Sequence, residues 1–466
     1  MRALAVACAI ASSGCGQPPL ATVAVDGARR GPTVPAGFAG FSVEYDLVLD
    51  ELGGDGAPNE AFRQTMRNLG ASTLRVGGNS EDDDCWSPDG TTPAGCRGAI
   101  TPEMARAIFS AVDETGWRAI VGVNLAREDA QAAATYVRDG ILANATAKTL
   151  AAVEIGNEPD VYVDRMLRPP GYSEADHRAE FLARADAIAA LPDGSALPLS
   201  GPAVTDIWSG DLASFPGGVG QSLGARLAMV TAHWYPLNVC SHTNTVSVED
   251  LLSSSVSDAW RATAPQLVAA AGARPLVVDE TNSVACGGQS GTSDAFAAAL
   301  WALDFLFTAA RAGVASVQLH AHAARTYSPI LVDSGALVVR PLYYALALFA
   351  SRAEGRTLVD AAIDSTARVL AFAVTDGQAL TLFLLNEDAR AGEVVVRPSP
   401  SATRGSLLLL QAPALDDVAR TTLGGATVGA DGTLAAPAES ALAPDGDGAF
   451  HVQLPVAAAA ALTLTN

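Results

Sequence analysis

The feature that most constrains the fold is a regular alternation of short apolar segments with amphipathic helical stretches, running from about residue 38 to about residue 350. Strands that alternate with helices form a parallel sheet. Eight such units in succession predict an α/β fold, the closed (β/α)8 TIM barrel. A doubly wound open sheet is the structural alternative, but the glycine-rich turn that it usually carries does not follow the first strand. The eight strand candidates are 38–45, 72–78, 118–124, 151–157, 197–203, 228–235, 275–280 and 315–322.

The C-terminal quarter of the chain has a different pattern. Short alternating or wholly apolar runs follow one another there, separated by Gly, Pro and Asp-Gly turns. This pattern is typical of a β-sandwich. We therefore predict a barrel over residues 31–351 and an appended β-sandwich over 352–466, completed by an N-terminal strand at 21–30.

Residues 1–20 have the layout of an export signal: Arg2, a short apolar run and then small residues. Ser13-Gly14-Cys15 resembles the end of a bacterial lipobox, which would make Cys15 a lipid anchor. An ordinary cleaved signal peptide is the alternative interpretation. Either one predicts an exported protein that is periplasmic, extracellular or anchored to the bacterial outer membrane.

Four further cysteines remain beyond this leader, at Cys85, Cys96, Cys240 and Cys286. An even number of cysteines in an exported chain suggests disulfides. Cys85 and Cys96 are the natural local pair, which leaves Cys240 and Cys286 to join two distant loops. The sequence has no Cys or His cluster with metal-ligand spacing, so we predict no metal and no other cofactor.

The chain is strongly acidic, with 29 Lys and Arg residues against 50 Asp and Glu residues and a formal net charge of −21. A nucleic-acid-binding protein needs a basic footprint, so this class is excluded. The same field opposes any long polyanionic ligand. The sequence does not define an oligomeric state.

Two glutamates stand where apolar strands of the predicted barrel end. Glu158 follows the fourth strand and Glu280 ends the seventh. Catalysis in these barrels takes place at the C-terminal ends of the strands. Glycoside hydrolysis needs two carboxyl groups, one to protonate the leaving oxygen and one to attack or to activate water. A single strand-end Glu is more often a salt-bridge or capping partner, but the pair together favours catalysis.

Six segments on and around these glutamates carry recognisable motifs: FSVEYD at 41–46, LRVGGN at 74–79, EIGNEP at 154–159, HWY at 233–235, 280–288 and 296–305. These segments resemble those of glycoside hydrolase family 79, which contains β-glucuronidases and heparanase. The resemblance covers residues 38 to about 350 and includes the appended sandwich. It implies that Glu158 is the acid/base and Glu280 the nucleophile of a retaining enzyme.

Further residues are expected to bind the sugar or to support the catalytic pair. Asn157 can donate to the sugar 2-hydroxyl, and Tyr235 is placed to hydrogen-bond Glu280. The resemblance puts five more strand-end residues near the first sugar subsite: Asp46, Asn79, His233, His320 and Tyr327. The acidic run Glu81–Asp84 is expected to be a solvated loop, with a calcium site as the less favoured alternative.

The loop 285–291 bears on sugar specificity. In the family, glycine amides of this loop, together with a Tyr, hold the carboxylate of a uronic acid. Gly287 and Gly288 match the glycines, and backbone amides without a Cβ nearby make a good anion site. This chain has Ala285 where the family has the Tyr, so one hydroxyl donor is missing.

These observations predict an exported retaining β-glycosidase, an exo-acting β-glucuronidase whose substrate is a uronic-acid-containing glycan or a glucuronide. One alternative is an endo-acting, heparanase-like enzyme, which would need basic clusters along its cleft. Another barrel glycosidase, such as an arabinofuranosidase or a xylosidase, is favoured by Ala285. The last alternative is a non-catalytic, glycan-binding surface lipoprotein on a degenerate barrel. The presence of both glutamates argues against this alternative.

Overall fold

The computed structural model describes residues 18–205, 212–241, 243–321 and 326–466. Eight parallel strands close a barrel, and each pairs with the next along the chain until the eighth pairs with the first. The predicted (β/α)8 barrel is therefore confirmed. In chain order the barrel strands are Ala39–Glu44, Thr73–Gly77, Arg118–Val123, Leu150–Ile155, Leu199–Val204, Leu227–Trp234, Leu276–Thr281 and Ser316–Ala321.

Helices connect the strands and cover the outside of the barrel. The helix Phe296–Ala312 is apolar on all sides, and its residues from Phe296 to Ala310 are buried. A helix that is apolar all round must be covered on every side. This one packs against the last helix of the barrel and also meets the sandwich strands. The α-helices are Val48–Leu52, Glu60–Asn68, Asn79–Asp83, Pro102–Thr115, Ala130–Tyr136, Glu174–Ala189, Ser214–Leu223, Val248–Leu251, Ser254–Ala271, Phe296–Ala312 and Pro341–Arg352.

The C-terminal region is a separate, sheet-rich layer, as the sequence predicts. The N-terminal strand Ala21–Thr33 belongs to it, antiparallel to Thr357–Ser365 and parallel to Gly392–Ser399. The sheet curls over on itself, since a Cβ placed on Gly405 would lie 3.0 Å from the ring of Phe450 at the far end of the strand order. Its strands after the barrel are Thr357–Ser365, Val369–Thr375, Leu380–Asn386, Gly392–Ser399, Arg404–Gln411, Thr422–Leu423, Ser440–Leu442, Phe450–Leu454 and Ala458–Thr465.

Aromatic side chains join the barrel to the sandwich. Phe307 of the barrel stacks on Phe372 with ring centroids 4.7 Å apart and meets Phe383 at 4.7 Å. Phe307 also contacts Phe349 of the last barrel helix at 4.9 Å. Aromatic pairs at these distances contribute more than their buried area alone. The two layers therefore share one hydrophobic contact.

Both expected disulfides form. Cys85 pairs with Cys96 and Cys240 pairs with Cys286, with Cα atoms 5.9 and 5.2 Å apart. Disulfides of this kind are typical of proteins that fold in an oxidising compartment. The predicted leader falls largely outside the described residues, as does Cys15. Among the described helices, none has the length and apolar character required to cross a membrane.

Candidate active site

The loop after the fourth strand presents Glu158 at the mouth of the barrel. Glu158 has a left-handed backbone conformation, with φ 49° and ψ 55°, and its N–H donates to the carbonyl of Ala203 at 2.9 Å. A non-glycine residue rarely adopts this conformation, and those that do cluster at functional sites. The side chain is about one-fifth exposed, at 18%. Its Oε1 lies 2.8 Å from His233 Nδ1.

Asp82 holds the start of the loop after the fourth strand by accepting backbone hydrogen bonds. Its carboxylate accepts the N–H of Asn157 at 3.0 Å, and also the N–H groups of Leu125 and Ala126 at 2.8 and 3.1 Å. Burial raises the pKa of Asp82, and the hydroxyl of Tyr162 and these amides oppose that rise. One buried carboxylate thus ties the loops after the third and fourth strands together.

The prediction that Glu81–Asp84 form a solvated loop is wrong. These residues lie in or next to the short helix Asn79–Asp83 and are all buried. The charge is tolerated because distant parts of the chain supply partners, which a local sequence pattern does not reveal. Asp83, for example, forms ion pairs with three arginines: Arg97, Arg127 and Arg165.

Glu280, on the seventh strand, is held as a carboxylate. Its Oε2 accepts from Arg75 Nη1 at 2.8 Å, and its Oε1 accepts from the hydroxyl of Tyr235 at 2.8 Å, the hydrogen bond that the sequence predicts. His320 Nδ1 lies 3.8 Å away. Burial alone would raise the pKa of Glu280, but His320, His233 and Arg75, together with the Tyr235 hydroxyl, hold it well below its usual value.

Arg75 is the central cation of the site and was not among the site residues predicted from the sequence. It is completely buried in the barrel interior. Its Nε donates to Glu154 at 2.8 Å and its Nη2 donates to Asn157 Oδ1 at 2.8 Å, besides the bond to Glu280. This leaves the amide NH2 of Asn157 as a donor for a ligand. Its position in the middle of an apolar strand could have identified Arg75 as a site residue, because a buried guanidinium needs carboxylate partners.

His320 carries a second positive charge beside the nucleophile candidate. Its Nε2 lies 3.6 Å from Glu44 Oε1, and its Nδ1 lies 3.0 Å from Ser42 Oγ. Burial would lower the pKa of His320, but Glu280 and Glu44 together raise it above its usual value. Burial would in turn raise the pKa of Glu44, and the contact with His320 holds it lower. His320 is therefore favoured as an imidazolium.

Oxygens of Glu158 and Glu280 and a ring nitrogen of His233 all lie within 4.8 Å of one another. Three ligand atoms at this spacing could bind a metal cation. The described contacts, however, already engage these atoms, since Glu280 binds Arg75 and Tyr235 while His233 binds Glu158. The arrangement is that of a hydrogen-bonded acid–base cluster with two carboxyl groups facing one space.

The other predicted sugar-binding residues surround this space to different degrees. Tyr327 is buried, with its ring 6.4 Å from that of Tyr235 and 5.8 Å from that of His320. Asn79 and Asp46 are exposed, and the backbone N–H of Asn79 donates to Glu44 at 3.1 Å. The structure therefore brings Tyr327 next to the catalytic candidates and connects Asn79 to them through Glu44 and His320, whereas Asp46 lies exposed just after the first strand.

The glycine loop after the seventh strand has an unusual backbone. Cys286, Gly287 and Gly288 follow one another with φ values of 62°, 99° and 83°. A Cβ on Gly288 would lie 2.5 Å from Thr326 Oγ1, so glycine is required there. Thr326 donates to the carbonyl of Gly287 at 2.9 Å. Within the part of the chain that the structure describes, the two glycine N–H groups donate to no protein acceptor.

Sequence comparisons give relatives at low identity. No family model matches the chain. A β-glucuronidase of Neurospora crassa is 24% identical over 361 residues, which cover 69% of this chain and 64% of the relative. A β-glucuronidase of Aspergillus niger is 25% identical over 360 residues, which cover 68% of this chain and 65% of the relative. The chain thus spans slightly less than two thirds of the length of these curated relatives.

Solved structures resemble the whole chain. A 4-O-α-L-rhamnosyl-β-D-glucuronidase from Fusarium oxysporum 12S matches with a TM-score of 0.75 at 19% identity, covering 95% of this chain and 100% of that one. A family 51 arabinofuranosidase from Xanthomonas axonopodis pv. citri matches with a TM-score of 0.70 at 15% identity, covering 96% and 99%. At these identities the likeness shows a shared fold.

Proposed function

We propose that the protein is a retaining, exo-acting β-glucuronidase in which residues 31–351 are the catalytic unit. The observation that carries this proposal is the approach of Glu158 and Glu280 oxygens to within 4.8 Å. Retaining glycosidases hold their two carboxyl groups about 5–5.5 Å apart, whereas inverting enzymes leave about 6.5–9.5 Å for a water molecule. The spacing supports direct attack by one carboxylate.

In the first step Glu280 attacks the anomeric carbon of the terminal sugar. The bond between this carbon and the glycosidic oxygen breaks, and Glu158 gives its proton to that oxygen. The products are a covalent glycosyl ester on Glu280 and the free aglycone alcohol. Arg75 and Tyr235 suit Glu280 to this role, because they hold it ionised.

In the second step Glu158, now ionised, takes a proton from a water molecule as the oxygen of that water attacks the same anomeric carbon. The ester bond breaks, and Glu280 leaves as a carboxylate. Two displacements at one carbon retain the configuration. Asn157 is proposed to donate its free amide hydrogen to the sugar 2-hydroxyl, a bond that strengthens in the transition state. The mechanism requires no cofactor.

Glucuronic acid is the proposed sugar. The two curated relatives named above are β-glucuronidases, and the glycine loop offers N–H groups of Gly287 and Gly288 to an anion. His233, His320 and Tyr327 are proposed to line the sugar site, with Asp46 and Asn79 at its rim. Export through the N-terminal leader, with Cys15 as an anchor, is part of the proposal and agrees with the two disulfides.

A second candidate activity is supported by one departure in the glycine loop. Ala285 removes a hydroxyl that the resembling family uses for the uronate carboxylate. The shared fold with an arabinofuranosidase is compatible with a neutral sugar in the same site. An α-L-arabinofuranosidase is therefore the competing proposal.

A panel of 4-nitrophenyl glycosides separates these proposals. We expect turnover of the β-glucuronide, and proton NMR of the first product should show the β-anomer. Glu280→Gln should abolish turnover with the fold unchanged. Glu158→Ala should be rescued by azide, with a glycosyl azide of retained configuration as the product. Turnover of the arabinofuranoside alone would establish the competing activity, and an α-anomer as first product would overturn the retaining mechanism.

A further inference from the structure

Four buried polar atoms meet beneath the acid/base candidate without a partner. They belong to three residues: Asp279 with both carboxyl oxygens, Glu154 with Oε2 and His233 with Nε2. No described donor or acceptor satisfies them when every carboxyl group is ionised. Buried polar groups in native proteins are nearly always paired, so such a cluster needs an explanation. Asp279 directly precedes Glu280, and its side chain is completely buried.

One proton can form a hydrogen bond between the two carboxyl groups, and a second can face Asp279 from the ring of His233. A proton on Asp279 can be donated to Glu154, because the two carboxyl groups are within hydrogen-bond reach. A proton on His233 Nε2 then points to Asp279 Oδ1 at 3.6 Å. Burial and the negative charge of Glu154 both raise the pKa of Asp279, whereas Arg75 offsets the effect of burial on Glu154 and lowers its pKa. Asp279 is therefore the member of the pair that keeps the proton.

We propose that Asp279 is a proton-bearing positioning residue that fixes His233 as the Nε2–H tautomer, so that His233 Nδ1 accepts the hydrogen bond of protonated Glu158. The contact between His233 Nδ1 and Glu158 Oε1 is 2.8 Å. An ionised Glu158 would face the lone pair of Nδ1, so this tautomer favours the acid form in the resting enzyme. The substrate's glycosidic oxygen competes with Nδ1 for that proton. The proposal rests on the proposed function of Glu158.

The charged groups around Asp279 define the opposite assignment. Arg75 faces it from the second strand, Glu154 from the fourth and His233 from the sixth. In the opposite assignment Asp279 is ionised and His233 is an imidazolium. The imidazolium would then donate from Nδ1 to an ionised Glu158, and the resting enzyme would lack its acid. The two assignments differ in the protonation of one ring.

NMR of the imidazole nitrogens measures the protonation state of the His233 ring and needs no turnover of a substrate. The chain has only 6 histidines, so 15N-histidine labelling gives a simple spectrum in which His233→Gln identifies the signal. At pH 7 we expect a protonated Nε2 and an unprotonated Nδ1 for His233. Asp279→Asn should preserve this pattern, because its amide can donate to Glu154 and accept from His233. An imidazolium or an Nδ1–H tautomer in the wild type would overturn the proposal.

Kinetics with two leaving groups provide an independent readout. A 4-nitrophenyl leaving group needs little acid assistance, whereas a phenyl group needs more. We expect Asp279→Asn to stay within about threefold of the wild type for both substrates. Asp279→Ala should lose about 10²-fold more with the phenyl glycoside than with the nitrophenyl glycoside. An Asp279→Asn variant that folds normally but loses as much as Asp279→Ala would contradict the assignment.

The two measurements keep the proposals separate. If the wild type turns over none of the glycosides, the proposed function fails, and the NMR spectrum still decides the tautomer of His233. If turnover is present but the tautomer is wrong, only the role of Asp279 fails. Circular dichroism of both Asp279 variants serves as the folding control.

Discussion

At the scale of single residues, Arg75 connects the two halves of the candidate site. It contacts the nucleophile candidate Glu280, the buried Glu154 and the amide of Asn157. The guanidinium presents several donors in a fixed plane, so one side chain can set the positions of three others. A lysine would offer a single point charge and could not make these bonds together.

Arg75→Met should change the pH dependence of activity in a defined direction. Positive charge near Glu280 now holds the pKa of its carboxyl well below the usual value. Without Arg75 that pKa rises, so the protonated, inactive form of Glu280 persists to higher pH. The acidic limb of the kcat/KM profile should therefore move upward. Since Glu154 also loses its partner, thermal unfolding should show a loss of about 3–5 kcal/mol.

Arg106→Met is the matched control for this variant. Arg106 pairs with Asp55 on the surface, where both side chains are about half exposed. Exposed ion pairs contribute little to stability. The control should keep the wild-type pH profile and nearly the wild-type melting temperature. An Arg75→Met variant that behaves like this control would show that Arg75 does not tune Glu280.

The positions of the two glutamates at the barrel mouth were predictable, because each follows or ends an apolar strand in the sequence and barrel chemistry occurs at strand ends. Arg75 stands in the middle of its strand, and the sequence does not show that Glu154 and Asp279, which also stand near strand ends, contact each other and Arg75. Asp82 was misjudged because a run of acids usually faces solvent. Only the tertiary fold brings the distant backbone amides of Leu125 and Asn157 to its carboxylate.

At the scale of elements, the periodic parts of the chain were predicted best. All eight barrel strands lie within two residues of their predicted ends. Their pattern is repeated and apolar, so it is readable without tertiary contacts. The helix Asn79–Asp83 was missed, because five residues carry no helical period. The function of the glycine loop could be suggested only by resemblance, since its shape depends on the loops around it.

The disulfide Cys240–Cys286 should hold this glycine loop ready for substrate. It joins the loop to the segment after the sixth strand, immediately before Gly287. Replacing both cysteines by Ser frees the loop, which must then be ordered on binding at a cost of about 1–2 kcal/mol for each backbone residue that becomes fixed. We expect KM for the aryl glucuronide to rise about tenfold, with kcat nearly unchanged.

The second disulfide supplies the control for this experiment. Cys85 and Cys96 close a loop after the second strand, which is remote in sequence from the glycine loop. Their double Ser variant should keep the wild-type KM. Equal increases in KM for both double variants would indicate a general loss of stability and would contradict a specific role for Cys240–Cys286.

At the scale of the whole molecule, the barrel and the sandwich depend on a shared aromatic contact. Phe383 is completely buried in the sandwich and meets Phe307 of the barrel. Phe383→Ala should lower the free energy of unfolding by about 3–5 kcal/mol, since it opens a cavity between the layers. Urea denaturation followed by fluorescence measures this loss. Val418→Ala, at a half-exposed site, should have a much smaller effect, and equal losses would argue against a shared core.

The net charge of −21 bears on whether the proposed enzyme removes a terminal sugar or cleaves inside a long chain. A heparanase-like enzyme must bind a long sulfated chain, which calls for basic side chains along its cleft. Arg29 and Arg30 are the only adjacent basic pair in the sequence, and they lie on the sandwich strand Ala21–Thr33. A single glucuronate carries one negative charge, so a few local donors suffice for it. The charge therefore supports the proposed action on a small terminal sugar over action on a polymer.

The excess negative charge predicts an unusual salt dependence. At about 0.01 M salt the Debye length is about 30 Å, so the acidic protein repels an anionic substrate over its whole surface. Raising the salt to about 0.5 M screens that repulsion, and KM for 4-nitrophenyl β-glucuronide should fall. An uncharged aryl glycoside that the enzyme accepts, even weakly, should show no such change. Heparin should be neither cleaved nor inhibitory at low salt. A KM that rises with salt, or heparin that is cleaved, would instead favour the endo-acting alternative.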